Sequence, residues 1–392
     1  MILVQNLPVP FDRRVWLEAT HLVSHGLRVT VICPSAEGYP VGRFYEQGVE
    51  IQRYKAPPEA ESVLGYFWEY AVSISKMFHH LFSLSRRESI KVIQYCNPPD
   101  LLFLAAMPFK FLSKTKLIFD QHDLGPELMS AKGLSRFPFM STLALAIEKA
   151  SYKIADHVIS TNQSYAAKAI ERGKKPEHEV FVVRSGPKRT WADLARQNEG
   201  FREGHKFQIG YIGVMGYQDG VDLLLRAIQL LVHQFRIDVF LTLAGGGTEL
   251  NNLKKIADEL KINDNVKFYG KVRDDQLLKD LIKSSDICVA TDRDSELNNL
   301  STMNKIIEYM ALSKPMVLFE AKESRFSAAS AAIYVEPDNY EKLAEEIASL
   351  LKNKAKMSQM GNTGRERFLH ELCWENQQSA LDSAYWLSKD EK

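Results

Sequence analysis

Short runs rich in β-branched residues alternate with amphipathic helical stretches along nearly the whole chain. In the first half, the strand-like runs lie at Ile2–Gln5, Arg28–Cys33, Val49–Tyr54, Lys91–Tyr95, Lys116–Asp120, His157–Ser160 and Glu179–Val183. Strands that are apolar on both faces and separated by helices form parallel sheets with helices covering each face. The alternation therefore predicts an α/β fold.

The same alternation is repeated in the second half. Its strand-like runs lie at Phe207–Ile212, Val239–Ala244, Val266–Tyr269, Asp286–Ala290, Pro315–Phe319 and Ala332–Val335. Its helical stretches lie at Val221–Gln234, Glu249–Leu260, Asp275–Lys283, Thr302–Leu312, Tyr340–Lys352 and Lys354–Phe368. We predict doubly wound domains at 1–186 and 207–370, a Gly-, Pro- and Arg-rich linker at 187–206, and a C-terminal helix at 371–392 packing back toward the first domain. Ligands of such domains bind at the carboxyl ends of the strands, so we expect the site in a cleft between the domains.

The composition excludes several classes of protein. Of the 392 residues, 45% are hydrophobic and 25% charged, which rules out global disorder. The four cysteines are far apart and lack metal-binding spacing, so neither a disulfide scaffold nor a zinc module is expected. Without a membrane-spanning run or a basic leader, the chain is expected to be soluble and cytoplasmic. Residues 1–190 hold 24 Lys and Arg against 18 Asp and Glu, but no long basic stripe, which argues against a nucleic-acid partner.

The segment from Leu297 to Phe319 is the strongest candidate for a binding site. A strand is predicted to end near Ala290, a polar loop follows, and Ser301 or Thr302 is placed to cap a helix. The first turn of a helix carries unpaired N–H groups and the positive end of the helix dipole. Such a helix start suits a diphosphate.

Two charged side chains on this helix fit an anionic ligand. Lys305 lies in the first turn, where a cation is slightly unfavourable for the helix itself, so a bound anion would account for it. Glu308 follows about one turn later, and a carboxylate can accept both hydroxyl hydrogens of a ribose. An exposed Lys–Glu pair without function is the alternative interpretation.

The sequence from Lys305 to Val317, Lys-x-x-Glu-Tyr-Met-Ala-x-x-Lys-Pro-Met-Val, resembles the donor-site signature of the GT-B glycosyltransferases of family 4. The stretches at 10–19, 29–34 and 209–222 and the region around Trp374 resemble bacterial members that build surface polysaccharides, including aminosugar transferases of O-antigen and capsule loci. The resemblance spans nearly the whole chain.

This resemblance implies an α/β fold of the GT-B type, with two Rossmann-like domains facing each other across a cleft. It implies a retaining hexosyl or N-acetylhexosaminyl transferase that uses a nucleoside diphosphate sugar, with UDP favoured over GDP, and needs neither a metal nor a further cofactor. The acceptor would be a glycan or an undecaprenyl-diphosphate-linked glycan bound by the first domain. The enzyme would be cytoplasmic, with possible peripheral contact at the inner face of the plasma membrane.

The chain departs from the family pattern at three positions. The resemblance makes Glu308 the second Glu of a Glu-x7-Glu pair that holds the donor ribose, but the first position of the pair is Leu300. Two cations that many members aim at the diphosphate are replaced by Val214 and Asp219. Phosphate binding is therefore expected to use backbone N–H groups at 213–216 and 304–305, with Lys305 as the first cation. Arg184 and Arg293 are further candidate cations, and Asp292, Asp294 and Glu296 are candidate substitutes for the missing Glu.

The predicted donor site combines these residues. Lys305 and Glu308 are taken as catalytic. The donor-binding set is Gly213, Val214, Met215, Gly216, Arg184, Val272, Arg273, Ser301, Thr302, Met303 and Asn304. For 213–216 a plain tight turn is an equal alternative, and Gly245-Gly-Gly247 is interpreted as a structural turn.

The first half supplies a candidate catalytic histidine and acceptor-binding residues. His122, Asp123 and Glu127 follow the end of a buried strand, and a histidine there can donate to a phosphate or orient a hydroxyl. The resemblance gives His122 that role. In the first strand-to-helix loop, Asp12, Arg13 and Arg14 are further acceptor-binding candidates; one of the two arginines is expected to be solvated.

Two other functions fit the same sequence. One is a nucleotide-sugar 2-epimerase on the same scaffold. The other is a non-catalytic partner subunit that has kept the fold, for which the departures at Leu300, Val214 and Asp219 count in favour.

An aromatic stretch at 64–82 is followed by Arg86 and Arg87. It is apolar around much of a helical circumference, which is typical of a core helix. Alternatively, its aromatic edge could rest on an anionic membrane surface, together with the lysines at 110, 114 and 116.

Overall fold

A computed structural model describes residues 1–58, 63–131 and 138–387. The chain forms two compact units: Met1–Ser185 together with the C-terminal segment from Gln377, and Gly186–Asn376. We call them unit 1 and unit 2. Residues 187–206, predicted as a linker, lie in unit 2, where Trp191 and Phe201 pack against its core.

Unit 1 is built on an eight-stranded sheet in the order β3-β4-β2-β1-β5-β6-β7-β8. Its strands are β1 Ile2–Leu3, β2 Thr30–Pro34, β3 Gly42–Glu46, β4 Val49–Tyr54, β5 Val92–Cys96, β6 Lys116–Gln121, β7 His157–Ser160 and β8 Val180–Val182. All neighbours pair in parallel except β3 and β4, which form an antiparallel hairpin at the sheet edge. The sequence prediction of a wholly parallel sheet missed this hairpin.

Seven of the described helices lie in unit 1. They are α1 Arg13–Ser24, α2 Val63–Ser85, α3 Phe103–Ser113, α4 Gly125–Ala131, α5 Pro138–Ile154, α6 Gln163–Glu171 and, from the C-terminal segment, α15 Gln378–Ala384. α15 packs against β7 and β8. The sheet interior is apolar, and Leu3, Ile32 and Phe119 are fully buried in it.

Unit 2 is built on a six-stranded parallel sheet in the order β11-β10-β9-β12-β13-β14. Its strands are β9 Phe207–Ile212, β10 Val239–Ala244, β11 Val266–Gly270, β12 Ile287–Ala290, β13 Met316–Phe319 and β14 Ala332–Val335. These agree with the predicted strands to within about one residue at each end.

The helices of unit 2 cover its sheet. They are α7 Val221–Gln229, α8 Leu250–Glu259, α9 Asp275–Ser284, α10 Glu296–Leu300, α11 Asn304–Ala311, α12 Lys322–Ala328, α13 Tyr340–Leu351 and α14 Lys354–Arg367. α7 and α14 each continue into a π-helical turn, at Leu230–Gln234 and Phe368–Leu372. α10 lies where the sequence predicted only a polar loop.

Each sheet reverses its strand order at one point. In unit 1 the reversal lies between β1 and β5, and in unit 2 between β9 and β12. Loops at the carboxyl ends of strands that flank such a point form the binding crevice of doubly wound folds. The loops after β9 and β12 carry Gly213 and Asp292, so the predicted donor-binding segments meet at this place in unit 2.

α2 is buried on one side and exposed on the other. Met77 and Leu81 lie in the core of unit 1, whereas Trp68 is 68% exposed and Phe82 is 49% exposed. The buried side fits the interpretation as a core helix, and contact of the exposed side with a membrane stays a prediction. No helix in the described ranges is long and apolar enough to cross a membrane.

Candidate functional site

Two glycine-containing loops of unit 2 pack backbone against backbone at the carboxyl edge of the sheet. Gly213 follows β9 with φ +146°, and Gly245 follows β10 with φ +151°. A Cβ atom on Gly245 would lie 1.7 Å from the carbonyl oxygen of Gly213. Only glycine allows this approach, so the loop after β10 has a structural role, as its sequence indicated, and it supports the loop after β9.

The loop after β9 uses most of its own N–H groups internally. Gly213 donates to the carbonyl of Ala244 at 3.0 Å, and Met215 donates to that of Gly246 at 3.1 Å. The Gly216 N–H donates to the Asp219 carboxylate at 2.9 Å. Of the four residues expected to cradle a phosphate, Val214 alone keeps an N–H without an acceptor among the described residues, and its side chain is 59% exposed.

Tyr309 fixes α11 against the sheet. Its buried hydroxyl accepts from the N–H of Ile212, the last residue of β9, at 3.0 Å and donates to the carbonyl of Val289 in β12 at 3.2 Å. One phenol therefore joins α11 to both strands at the reversal point. The start of α11 is held beside the loop after β9 as a consequence.

The N terminus of α11 has no side-chain cap. The helix begins after Met303, whose side chain makes no capping bond. The prediction that Ser301 or Thr302 caps the helix is wrong: the Ser301 hydroxyl donates to the carbonyl of Leu297 at 2.7 Å and ends α10 instead. The N–H groups of Asn304 and Lys305 donate to no acceptor within the described ranges.

Lys305 points back toward the loop after β9. Its ammonium is 2.9 Å from the Asp292 carboxylate, 3.4 Å from the Tyr211 hydroxyl and 4.0 Å from Asp219. A Cβ on Gly213 would lie 3.6 Å from the same nitrogen. Burial lowers the pKa of Lys305, but Asp292 and Asp219 outweigh it, so the pKa is raised and the side chain remains charged.

Two carboxylates oppose this one buried cation. With both ionised, the cluster carries a net negative charge, which disfavours a second anion. Burial and the nearby Asp292 raise the pKa of Asp219, while Lys305 lowers it. Of the three proposed substitutes for the missing Glu, Asp292 faces Lys305, whereas Asp294 and Glu296 are exposed. Leu300 is half-buried at the end of α10.

Glu308 lies one turn after Lys305 on the same helix and is half-buried between neighbours that are fully buried. Along the helix axis its position is roughly 5 Å beyond that of Lys305.

The remaining donor candidates are placed differently. Val272 is half-buried and Arg273 exposed in the loop after β11. Arg293 donates to the carbonyl of Tyr217 at 3.1 Å and to Asp222 at 2.6 Å, so it braces the loop rather than facing open space. Arg184 belongs to unit 1, where it is buried with 4% exposure.

In unit 1, His122 is oriented by Asp120. The imidazole Nε2 lies 2.7 Å from a carboxylate oxygen of Asp120. Because a carboxylate only accepts, this nitrogen carries the proton. Burial lowers the pKa of His122. The charge and the hydrogen bond of the Asp120 carboxylate outweigh this effect, so the pKa lies above its ordinary value.

Asp120 is itself held by a buried arginine. Arg14 donates to Asp120 at 2.7 Å and 3.3 Å and to the carbonyl of Val183 at 2.7 Å. Burial raises the pKa of Asp120, and Arg14 and His122 lower it well below its usual range. Arg14, predicted to bind acceptor, is thus committed to the interior of unit 1, and the solvated arginine of the pair is Arg13.

Glu18 and Gln94 extend this cluster. Glu18 lies 3.3 Å from Arg14 on α1, and Gln94 donates to both Glu18 and Asp120. The buried Tyr385 hydroxyl, from the C-terminal segment, donates to Gln94. Cys96 and Asp120 also bring metal-ligating atoms near His122, but the Arg14 guanidinium already supplies the cation there.

The other acceptor-binding candidates have internal partners. The Asp12 side chain accepts from the Val15 N–H at 3.1 Å and caps α1. Glu127 is 6% exposed and forms an ion pair with Arg172. Asp123 is half-buried beside His122. Of the acceptor set, Arg13 and Asp123 keep side chains with access to solvent.

The sequence interpretation missed Asp120 and Tyr309. Asp120 and His122 lie two residues apart at the end of β6, and the period of two along a strand directs both side chains to one side. That spacing could have paired them. Nothing local in the sequence shows that the Tyr309 hydroxyl reaches β9 and β12.

Two family models match the chain. A glycosyl transferase 4-like domain matches residues 12–186, and the model of the glycosyl transferases of group 1 matches residues 193–367. The first match covers most of unit 1, and the second lies within unit 2. The chain belongs to the GT-B glycosyltransferases.

Solved structures share the fold of this glycosyltransferase. Sucrose-phosphate synthase from Thermosynechococcus elongatus is 17% identical, with a TM-score of 0.81 and 98% of each chain covered. HepE from Anabaena, in complex with UDP-glucose, is 15% identical, with a TM-score of 0.73 and 98% of each chain covered. A glycosyltransferase from Rickettsia africae is 14% identical, with a TM-score of 0.70, covering 100% of this chain and 98% of its own. No curated protein matches the sequence.

Proposed function

We propose that this glycosyltransferase transfers a sugar with retention of its anomeric configuration from a UDP-sugar to a glycan or undecaprenyl-diphosphate-linked glycan of a bacterial surface polysaccharide. The observation that carries the proposal is the pairing of Lys305 with two unpartnered N–H groups at the start of α11, one turn before Glu308. A diphosphate needs hydrogen-bond donors and a cation, and the ribose that follows it needs an acceptor for its hydroxyls.

In this proposal α11 binds the diphosphate and stabilises it as it departs. The N–H groups of Asn304 and Lys305 donate to phosphate oxygens, the Val214 N–H adds a third donor, and the Lys305 ammonium offsets the growing charge. Glu308 accepts from the ribose hydroxyls. The acceptor hydroxyl attacks on the face that the diphosphate leaves, and its proton goes to a phosphate oxygen. No metal is required for these steps.

A bound diphosphate would compete with Asp292 for Lys305. The two oxygens of Asp292 can then turn from the ammonium to the hydroxyls of the transferred sugar, a task that Leu300 cannot perform. Asp219 remains fixed by the Gly216 N–H at 2.9 Å. The donor pocket is therefore proposed to rearrange at one side chain rather than in its backbone.

The proposal is tested by incubating the purified protein with UDP- and GDP-sugars, an acceptor glycan and EDTA, and determining the anomeric configuration of the product by NMR. A product with the donor's configuration supports the proposal. Formation of an epimerised nucleotide sugar without acceptor, or an inverted product, would overturn it.

A non-catalytic subunit is the second candidate. The net negative charge of the Lys305, Asp219 and Asp292 cluster favours it, since neither residue that many family members use to bind the diphosphate is basic here. Failure of the purified chain either to transfer or to hydrolyse any donor, combined with nucleotide binding too weak to measure, is the result that this alternative predicts.

Peripheral contact of unit 1 with the inner face of the plasma membrane is proposed from its exposed apolar side chains. Phe111 and Leu112 at the end of α3 are 70% and 87% exposed, and Lys114 follows them in the chain. Flotation with vesicles of phosphatidylcholine alone, or with added phosphatidylglycerol, tests the contact. A double change of Phe111 and Leu112 to Ser should abolish it, and binding that ignores both the anionic lipid and this change contradicts it.

A further inference from the structure

Two histidines of α1 face a carboxylate of the C-terminal segment in unit 1. His21 Nε2 is 2.7 Å from Asp382 Oδ1, and His25 Nε2 is 3.7 Å from the same oxygen. The two imidazole centroids are 4.5 Å apart. Four residues separate the histidines, which places both on one side of the last turn of α1.

The spacing of these atoms fits a tetrahedral metal ion. Zn²⁺ binds imidazole nitrogen and carboxylate oxygen at about 2.0–2.2 Å, so ligand atoms of a tetrahedral site are separated by roughly 3.3 Å. The separations of 2.7 Å and 3.7 Å lie on either side of that value, and all three ligand atoms lie within 4.8 Å of one another. Small side-chain rotations therefore suffice to form the site, without a change in the backbone.

The second nitrogen of His25 is already oriented for metal binding. Its Nδ1 lies 3.1 Å from the carbonyl oxygen of His21 and can donate to it. This bond fixes the proton on Nδ1 and leaves the lone pair of Nε2 directed at Asp382. Ligating histidines usually make such a bond from their other nitrogen. A metal ion would replace the proton that now bridges His21 and Asp382.

The three side chains are reachable from solvent, and one of them comes from the C-terminal segment. The side chains of His25 and Asp382 are 22% and 25% exposed, whereas that of His21 is 7% exposed, so the site is open to solvent on one side. That side offers a fourth coordination position to water. Asp382 is part of α15, which rejoins unit 1 after the chain has formed unit 2.

We propose that His21, His25 and Asp382 bind a divalent transition-metal ion of the zinc class, which fastens the C-terminal segment to α1. The ion has a structural role and takes no part in sugar transfer. Its ligands, two imidazoles and one carboxylate, select Zn²⁺ or Co²⁺ over Mg²⁺ or Ca²⁺, which prefer oxygen ligands.

The test uses the full-length, untagged protein after treatment with EDTA. Zn²⁺ affinity is measured by competition with a chromophoric chelator, and Co²⁺ is added separately to record the visible absorption of a tetrahedral site. The variants are His25→Ala and Asp382→Asn. The matched control is His233→Ala, which removes an exposed histidine of unit 2 whose Nε2 lies 3.1 Å from the carbonyl oxygen of Lys261.

We expect one equivalent of Zn²⁺ in the wild-type and His233→Ala proteins. Both site variants should lose more than about tenfold in affinity, because removing even an outer-shell partner of a ligand costs 10–100-fold. Zn²⁺ should also slow hydrogen exchange in α15 of the wild-type and His233→Ala proteins, and not in the two site variants. Equal Zn²⁺ affinity in the wild type and in folded His25→Ala and Asp382→Asn, or no bound Zn²⁺ in any of them, would overturn the proposal. Sugar transfer is measured independently, so either result leaves the proposed function untouched.

Discussion

At the scale of single residues, Glu308 is the side chain on which the donor site most depends. Glu308→Gln keeps the shape but removes the charge that accepts from the ribose. We expect transfer, measured as kcat/KM, to fall by a barrier increase of roughly 2–4 kcal/mol while circular dichroism stays unchanged. Glu259→Gln on exposed α8 is the control. Near-normal turnover in Glu308→Gln would remove this residue from the site.

Asp292 is expected to weaken the binding of a nucleotide that carries no sugar. Its carboxylate lies 2.9 Å from the Lys305 ammonium, so Asp292→Asn should release that cation for the diphosphate. We expect UDP without a sugar to bind more tightly by roughly 1.5–3 kcal/mol, the scale of a hydrogen bond between charged groups, as measured by calorimetry. Asp294→Asn, at an exposed position of the same loop, should change nothing. Weaker UDP binding in Asp292→Asn would contradict the competition.

The pH dependence of turnover distinguishes the role of His122 from that of Asp120. His122→Ala should lower turnover, and an unaltered rate would make the histidine incidental. Because Asp120 raises the pKa of His122, Asp120→Asn should lower it and move the alkaline limb of the rate profile to lower pH. A profile that keeps its position while the rate falls would assign Asp120 a purely structural role.

At the scale of elements, the two glycine loops of unit 2 make a testable contact. Gly245→Ala brings a Cβ to 1.7 Å from the Gly213 carbonyl oxygen at φ +151°, and we expect a loss of about 3 kcal/mol or more in the free energy of unfolding. Gly270→Ala measures the cost of backbone strain alone, because the φ of Gly270 is +67° and no atom lies within 4 Å of the added Cβ. It should cost about 1 kcal/mol. Equal losses in urea denaturation would contradict the close-packing argument.

How far the sequence predicts these elements depends on how much of each element is buried. Val49–Tyr54 and Phe207–Ile212 were predicted to the residue, because they are buried runs bounded by turn residues. The strand Gly42–Glu46 was missed, since most of it is exposed and it carries no apolar run. Its signal is the turn at Gln47 and Gly48, both at positive φ, which is typical of a two-residue hairpin.

The candidate site was predictable from the sequence only in part. The approach of Lys305 to the loop after β9 follows from strand order, which the repeated alternation implies. Its pairing with Asp292 does not, because that contact joins residues 13 apart, from the loop after β12 to α11, with α10 between them. The interior position of Arg14 was also missed, since two adjacent arginines at a helix start carry no local sign of which one faces the core.

At the scale of the molecule, buried carboxyl groups of unit 1 predict a pH-dependent stability. Burial raises the pKa of Glu148 from 4.5 to about 7, only partly offset by Arg172, and burial raises the pKa of Glu18 as well. The folded state then binds more protons than the unfolded state between these values, so stability falls as the pH rises from about 4.5 to 7.

Hydrogen exchange in the strands of unit 1, corrected for the intrinsic pH effect, measures this change. Protection should be greater at pH 5 than at pH 8, and Glu148→Gln should flatten the difference. Protection that increases with pH in unit 1 would show that these carboxyls are ionised at no cost in the folded state.

The central claim is that the loop after β9 and the start of α11 hold the diphosphate of the donor. Hydrogen exchange with and without saturating UDP tests it most directly, because the N–H groups of Val214, Asn304 and Lys305 would gain acceptors. The account predicts slower exchange in peptides covering 213–220 and 301–308 of unit 2. Slower exchange confined to other segments, or unchanged exchange in these two at saturating UDP, would contradict it.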